Sequence, residues 1–207
     1  MMRRASLLSG ALAALGALLV YWLTLYPGLV GPGDTAKFQY LGRVLGTAHN
    51  PGYPLFVVVS WAFSYVPIGD LAFRMNLFAA VSSAATAVVM VRLLERCHVS
   101  LLVAVATALT MAYGRMFWGL SIRAEVYAFA ALLQVTLLFF LVRWHETQRR
   151  RDLYFAAATI ALALGHHLTV VMLLPAIGVY LLMVDRREVT RPRTFITMAV
   201  IVCAGFL

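Results

Sequence analysis

The chain alternates long apolar runs with short polar breaks, and that alternation restricts the folds open to it. The runs fall near residues 7–26, 53–66, 71–94, 99–117, 124–142, 153–165, 168–184 and 195–207. Several reach the roughly 18–20 residues a helix needs to cross about 30 Å of hydrocarbon. With 63% hydrophobic and 12% charged residues, the composition lies far outside that of a soluble domain. The expected fold is all-α: a polytopic transmembrane helix bundle of about seven spans, forming one domain over 1–207. No internal repeat, low-complexity tract or soluble linker divides it.

The net charge of +9 does not point to nucleic acid. The arginines sit in short clusters between apolar runs, as topology signals do. The run 53–66 decides how those clusters are read. If it crossed the membrane, with the N-terminus inside, then Arg92–Arg96, Arg143–Arg151 and Asp185–Arg193 would all face outward. If it lies along the interface or re-enters, twelve of the 17 basic residues become cytoplasmic, which satisfies the positive-inside rule. The run is short and ends at Pro67, so the second arrangement is preferred. It gives six complete spans and the start of a seventh, with an outer loop over 27–69 that holds two juxtamembrane helices. Arg3 and Arg4 before the first run, with no small-residue cleavage pattern after it, read as an uncleaved signal anchor. Cys97 and Cys203 are expected to form neither a disulfide nor a metal site. The final apolar run stops at Leu207 without a polar flank, which reads as a fragment of a longer protein. A bacterial inner membrane is the expected location, with the N-terminus cytoplasmic and the active face periplasmic or extracellular.

This topology places the breaks 27–52, 114–124 and 165–168 on one face. Asp34, Lys37, Arg43, His49, Asp70, Arg74, Arg115, Arg123, Glu125, His166 and His167 gather there. Charged groups at membrane depth are costly and tend to serve function. Gly31, Pro32 and Gly33 end the first run. Phe38, Leu41, Val44 and Leu45 then recur at helical spacing, with Lys37, Gln39 and Arg43 off the stripe, as in an interfacial amphipathic helix. Asp34 reads either as an N-cap or as a functional acid. Lys37 is either a snorkelling charge or the partner that keeps Asp34 ionised. His49-Asn50-Pro51-Gly52-Tyr53-Pro54 is a rigid turn, in which a histidine serves hydrogen bonding or catalysis. Asp70 is expected to cap the next span and to pair with Arg74 one turn on. The run Ala79–Ala87 is a small-residue packing face. Arg115 and Arg123 suit lipid headgroups or one lipid's phosphate, to which the planar guanidinium is matched. Glu125 opens a span and suits a helix N-terminus. His166 and His167 are adjacent and point apart, so no metal is expected there.

Taken in order, these elements resemble a GT-C membrane glycosyltransferase, and more closely the bacterial uncharacterised membrane proteins related to the protein O-mannosyltransferases. The motifs that carry the likeness are Gly33-Asp34-Thr-Ala-Lys37-Phe38, His49-Asn-Pro-Gly-Tyr-Pro-Leu-Phe56, Phe73-Arg74-Met-Asn76, Arg123-Ala-Glu125-Val-Tyr127 and Gly165-His-His167-Leu-Thr169. They cover residues from about 20 to 182. The resemblance implies an inverting transfer of a sugar, mannose or another hexose, from a polyprenyl phosphate to an acceptor hydroxyl on the outer face. The acceptor would be a protein, a glycan or a lipid. Asp34 would be the general base. Arg74, Arg115 or Arg123 would steady the departing phosphate, and Lys37, His49, Glu125 and His167 would bind substrate. No metal or other cofactor is implied. Many relatives carry a second acid where this chain has Lys37, and a proline where it has Asn50. A membrane protein without enzymatic activity, such as a transporter or an envelope-assembly factor, and an inactive fragment are the alternative expectations. Transporters place polar groups at mid-membrane on broken spans, and few lie at the centres of 99–112 and 124–142.

Overall fold

The computed structural model describes residues 2–29, 33–50 and 52–205, with the side chains of 2–6 left aside. Every regular element among them is helical: α1 (Met2–Thr24), α2 (Thr35–Leu41), α3 (Pro54–Phe63), α4 (Leu71–Arg96), α5 (Leu101–Tyr113), α6 (Arg115–Ser121), α7 (Val126–Thr147), α8 (Arg150–Leu164), a 3-10 turn at Leu168–Leu173 leading into α9 (Leu174–Val189), and α10 (Pro192–Ala204).

Helix α4 is the hub. Its start is set by Asp70, whose carboxylate accepts from the Phe73 N–H at 2.7 Å, an N-cap that satisfies an otherwise orphaned donor. Its Ala79–Ala87 face is small: Ala79, Ala80, Ser82, Ser83, Ala84, Thr86 and Ala87 are all buried. Such residues let neighbouring backbones approach closely, the main source of packing energy between helices in lipid. Helices α1, α5 and α7 pack around α4. Tyr21 of α1 donates to the Ala112 carbonyl of α5 at 2.8 Å. Helix α8 packs on α7, and α10 on α8.

Four stretches are long and apolar enough to cross a membrane: Leu7–Thr24, Leu71–Arg96, Val126–Thr147 and Leu168–Val189. The number rises to five if α5 and α6, which meet at a 67° bend, form one span. The remaining difference from about seven has a local cause. Helices α8 and α10 have 15 and 13 residues, or about 22 and 20 Å of rise, short of a full hydrocarbon width. Two further expectations need correcting. The run 99–117 is not one continuous helix, because Gly114 leaves the helical region with ψ near 131°. The segment 185–193 is not a plain loop: α9 continues through it with a break at Asp185, whose carboxylate re-caps the chain by accepting from the Glu188 N–H at 2.9 Å.

The two ends of the bundle differ chemically. At one end ion pairs join the helices: Arg96 to Glu146, Arg143 to the fully buried Asp152 at 3.2 Å, and Arg150 to Glu188 at 2.5 Å. At the other end lie α2, α3, α6 and the turns at 25–29, 122–125 and 165–167. These turns are bonded to one another: Tyr26 N–H to Ile122 O at 3.1 Å and Leu55 N–H to Gly165 O at 2.8 Å.

Candidate active site

Asn76, in the second turn of α4, organises this second end. Its Oδ1 accepts from the Ala124 N–H at 2.8 Å and from Gln39 Nε2 at 3.0 Å, and its Nδ2 donates to the Tyr26 carbonyl at 2.9 Å. One fully buried amide thus joins the end of α1, helix α2 and the start of α7. Helix α2 has only seven residues, too few to be stable alone, and is held by what it buries. Phe38 stacks edge-on against Phe56 and Tyr53, at 5.4 and 5.7 Å between ring centroids. Gln39, expected on the solvent side, is buried and bonded to Asn76 and to the Gly28 carbonyl. Leu45, expected on the apolar stripe, lies beyond the end of α2 and is exposed.

Asp34 immediately precedes α2. Its carboxylate makes no capping hydrogen bond, so the N-cap reading is corrected. Oδ1 pairs instead with Lys37 Nζ at 3.1 Å and Oδ2 faces His49 Nδ1 at 3.7 Å. All three side chains are solvent-accessible. Thr35, the next residue, is buried and donates to Glu125 Oε1 at 2.8 Å. Glu125 also lies 3.5 Å from Arg123 Nε. It makes no side-chain cap to α7, so its part at the helix start is a bond across the site rather than a cap. Burial is the main cause that raises its carboxyl pKa, with the nearby Asp34 charge adding to it and Thr35 and Arg123 opposing. Two carboxylates of different character thus adjoin, one open and ion-paired, the other buried.

The His49 turn leans on this pair. Tyr53 Oη lies 3.2 Å from His49 Nε2, and the Tyr53 ring packs 5.4 Å from that of His167. His167 accepts at Nδ1 from the Thr169 hydroxyl at 2.9 Å, and its ring lies 5.9 Å from that of the exposed Tyr127. Tyr53 adopts the left-handed region, φ 51°, ψ 52°, a conformation that costs of order 1–3 kcal/mol for a bulky residue and tends to mark functional turns. His166 turns inward. Its Nε2–H donates to the Val126 carbonyl at 2.8 Å, and burial pushes its pKa down to about 4.

The arginines divide. Arg123 stands beside Glu125 at the site. Arg74 does not pair with the Asp70 carboxylate as expected. Its guanidinium serves the carbonyls of Ser64, Gly69 and Asp70, which fixes the turn between α3 and α4. Arg115 begins α6 and is exposed, with no bond to the acidic pair among the described residues. Among those residues, no three His, Cys, Asp or Glu side chains are grouped so as to hold a metal ion. Asn76, Thr35 and Tyr53 carry the architecture, and the sequence offered only faint signals for them: Asn76 stands out as an amide in an apolar run, and Tyr53 as a residue wedged between Gly52 and Pro54.

Comparison with known proteins places this geometry in context. A family profile described as "Protein O-mannosyl-transferase TMEM260 N-terminal domain" matches residues 34–190. The mouse protein O-mannosyl-transferase TMEM260 is 30% identical over 164 residues, which cover 78% of this chain and 23% of the mouse protein. Its counterpart from Dictyostelium discoideum is 24% identical over 191 residues, covering 82% of this chain and 23% of that protein. The chain therefore spans about a quarter of the length of these relatives. Both are eukaryotic, whereas the motifs had suggested a bacterial family. No solved structure matches the chain.

Proposed function

We propose a function on one premise: the chain belongs to the protein O-mannosyl-transferase TMEM260 N-terminal domain family. It forms the catalytic part of a GT-C-type glycosyltransferase that moves a mannose or similar hexose from a polyprenyl phosphate to an acceptor hydroxyl. The names of its relatives support glycosyl transfer to protein. The donor, the inverting course and the outward-facing site are our reading. The arginine-rich end lies in the cytosol under the positive-inside rule.

The observation that carries the mechanism is the Asp34 carboxylate: open to solvent, ion-paired, and joined through Thr35 to a second acid beside Arg123. Asp34 takes the proton of the acceptor hydroxyl as its oxygen bonds to the anomeric carbon. The bond from that carbon to the phosphate oxygen breaks, and its electron pair leaves with the phosphate. One displacement inverts the anomeric centre. Arg123 and Lys37 are the cations best placed to meet the growing phosphate charge. Arg74 is already committed to three carbonyls, and Arg115 serves the lipid at the rim. Glu125, its pKa raised by burial, and His167 beside Tyr127 hold sugar hydroxyls.

The test is transfer from a radiolabelled polyprenyl-phosphate mannose by the purified full-length protein. Asp34→Asn keeps size and polarity and removes the base, and should abolish transfer with unfolding behaviour unchanged. Full activity in that variant would remove Asp34 from the mechanism.

A further inference from the structure

We infer that Tyr53 is a positioning residue: its phenol sets the tautomer of His49, and His49 in turn holds the Asp34 carboxylate in line. The geometry runs in one direction. His49 presents Nε2 to Tyr53 Oη at 3.2 Å and Nδ1 to Asp34 Oδ2 at 3.7 Å. A neutral imidazole carries one proton. If that proton were on Nε2, the lone pair of Nδ1 would face a carboxylate oxygen, which is repulsive. With the proton on Nδ1, it points at Asp34, and Nε2 is free to accept from the Tyr53 hydroxyl. The hydrogen bond at one ring nitrogen fixes the state of the other.

Tyr53 is built for that task. It is 5% exposed, and burial raises its pKa, which keeps the proton on Oη. Its ring is fixed on three sides. Phe38 of α2 packs edge-on at 5.7 Å, the His49 ring stands edge-on at 5.5 Å, and His167 lies at 5.4 Å. The left-handed backbone at Tyr53, between Gly52 at φ 92° and Pro54, aims the side chain back at His49 four residues earlier. An ordinary extended residue there would send it elsewhere. The Asp34 carboxylate is thus flanked on two sides: Lys37 bonds Oδ1 at 3.1 Å, and the His49–Tyr53 pair faces Oδ2, with Nδ1 at 3.7 Å in electrostatic contact. Lys37 is a mobile chain with a rotating ammonium. The imidazole is planar, so it supplies the directional half of the grip.

The tautomer stands apart from the glycosyl-transfer reading, while its effect on rate rests on that reading. The experiment separates them. The full-length protein is labelled with 15N-histidine, and His49 is assigned by its loss in His49→Gln. Spectra are recorded at about pH 8, where an ordinary histidine is neutral. The expected form is Nδ1–H for the wild type, and Nε2–H, the form free histidine prefers in water, for Tyr53→Phe. That variant retains the ring and its packing and loses only the hydroxyl. Nε2–H or doubly protonated imidazole in the wild type, or an unchanged tautomer in Tyr53→Phe, would overturn the inference. In the transfer assay Tyr53→Phe should lower kcat by about three- to tenfold, the worth of one hydrogen bond, and leave the KM for donor within about twofold. A KM effect with kcat intact would assign Tyr53 to binding instead. No transfer by the wild type, with the tautomers as expected, would defeat the enzyme reading and leave the His49 assignment standing.

Discussion

Replacing Asn76 with alanine tests whether one buried amide holds the site end together. The wild-type side chain satisfies three groups at 2.8–3.0 Å: the Ala124 N–H, Gln39 Nε2 and the Tyr26 carbonyl. In Asn76→Ala the Gln39 amide keeps its bond to the Gly28 carbonyl. The Ala124 N–H and the Tyr26 carbonyl lose the partners described above. A buried polar group left unsatisfied costs about 1–3 kcal/mol. Ala124 is 1% exposed and stands near the top of that range, while the part-buried Tyr26 carbonyl stands near the bottom. The sum is about 4 kcal/mol, or a fall of about 8–16 °C in unfolding midpoint for a chain of this size. Tryptophan fluorescence of the detergent-purified protein on heating reports the midpoint. Asn76→Asp should also destabilise, since it keeps the acceptor but loses the donor and buries a charge. A midpoint for Asn76→Ala within about 2 °C of wild type would refute the idea that this amide is the common anchor.

Other outcomes follow from the same geometry. His166 is buried with its pKa lowered to about 4 from 6.5, so the unfolded chain binds its proton first as pH falls. Stability is then lost between about pH 6.5 and 4, by about 3 kcal/mol in total, and His166→Phe should flatten that slope in a series of melting curves. Glu125 has a raised pKa, so the folded state holds its proton longer. Stability falls as pH rises from about 4.5 to the raised value and then levels off. Glu125→Gln removes this fall, and curves for the two proteins that stay parallel across the window would contradict it. At the opposite end, Asp152 is fully buried between Arg143 and the Thr147 hydroxyl. Asp152→Ala should cost about 3 kcal/mol by stranding a charge, measured as a denaturant midpoint, with Asp152→Asn costing less because it keeps the Thr147 bond. Cysteines placed at Thr47 and at Arg151, with Cys97 and Cys203 replaced by alanine, should react with an impermeant maleimide from opposite sides of a sealed membrane. Labelling of both from one side would break the proposed topology.

Much of this arrangement could be read before any coordinates. Apolar length and arginine spacing gave the helical bundle. The cap at Asp70 followed from an acid just ahead of a long run, and the small face of α4 from an unbroken stretch of alanines and serines. Local rules failed where the partner is remote. Glu125 looked like a cap, because nothing near it in sequence reveals Thr35, 90 residues away. Gln39 looked solvent-facing by periodicity, yet Asn76 draws it inward from 37 residues off. Leu45 fitted the helical stripe, but α2 ends at Leu41, where the chain turns before the His49 loop. The run 99–117 read as one span because hydropathy averages over Gly114, and a single backbone torsion there is invisible to composition. The pairing of Asp34 with Lys37 was one of the two readings of their spacing, whereas His49 was foreseen only as a candidate on the same face. Their order along one carboxylate depends on the left-handed turn at Tyr53.

Helix α2 owes its place to neighbours that grip Thr35, Phe38 and Gln39, while Arg43, Val44, Leu45 and Thr47 just beyond it face outward. Rewriting that outward stretch would alter what approaches the carboxylate without disturbing where the carboxylate stands. On the proposed reading, a lineage changes its acceptors by editing these four exposed positions and inherits the Asp34 corner intact.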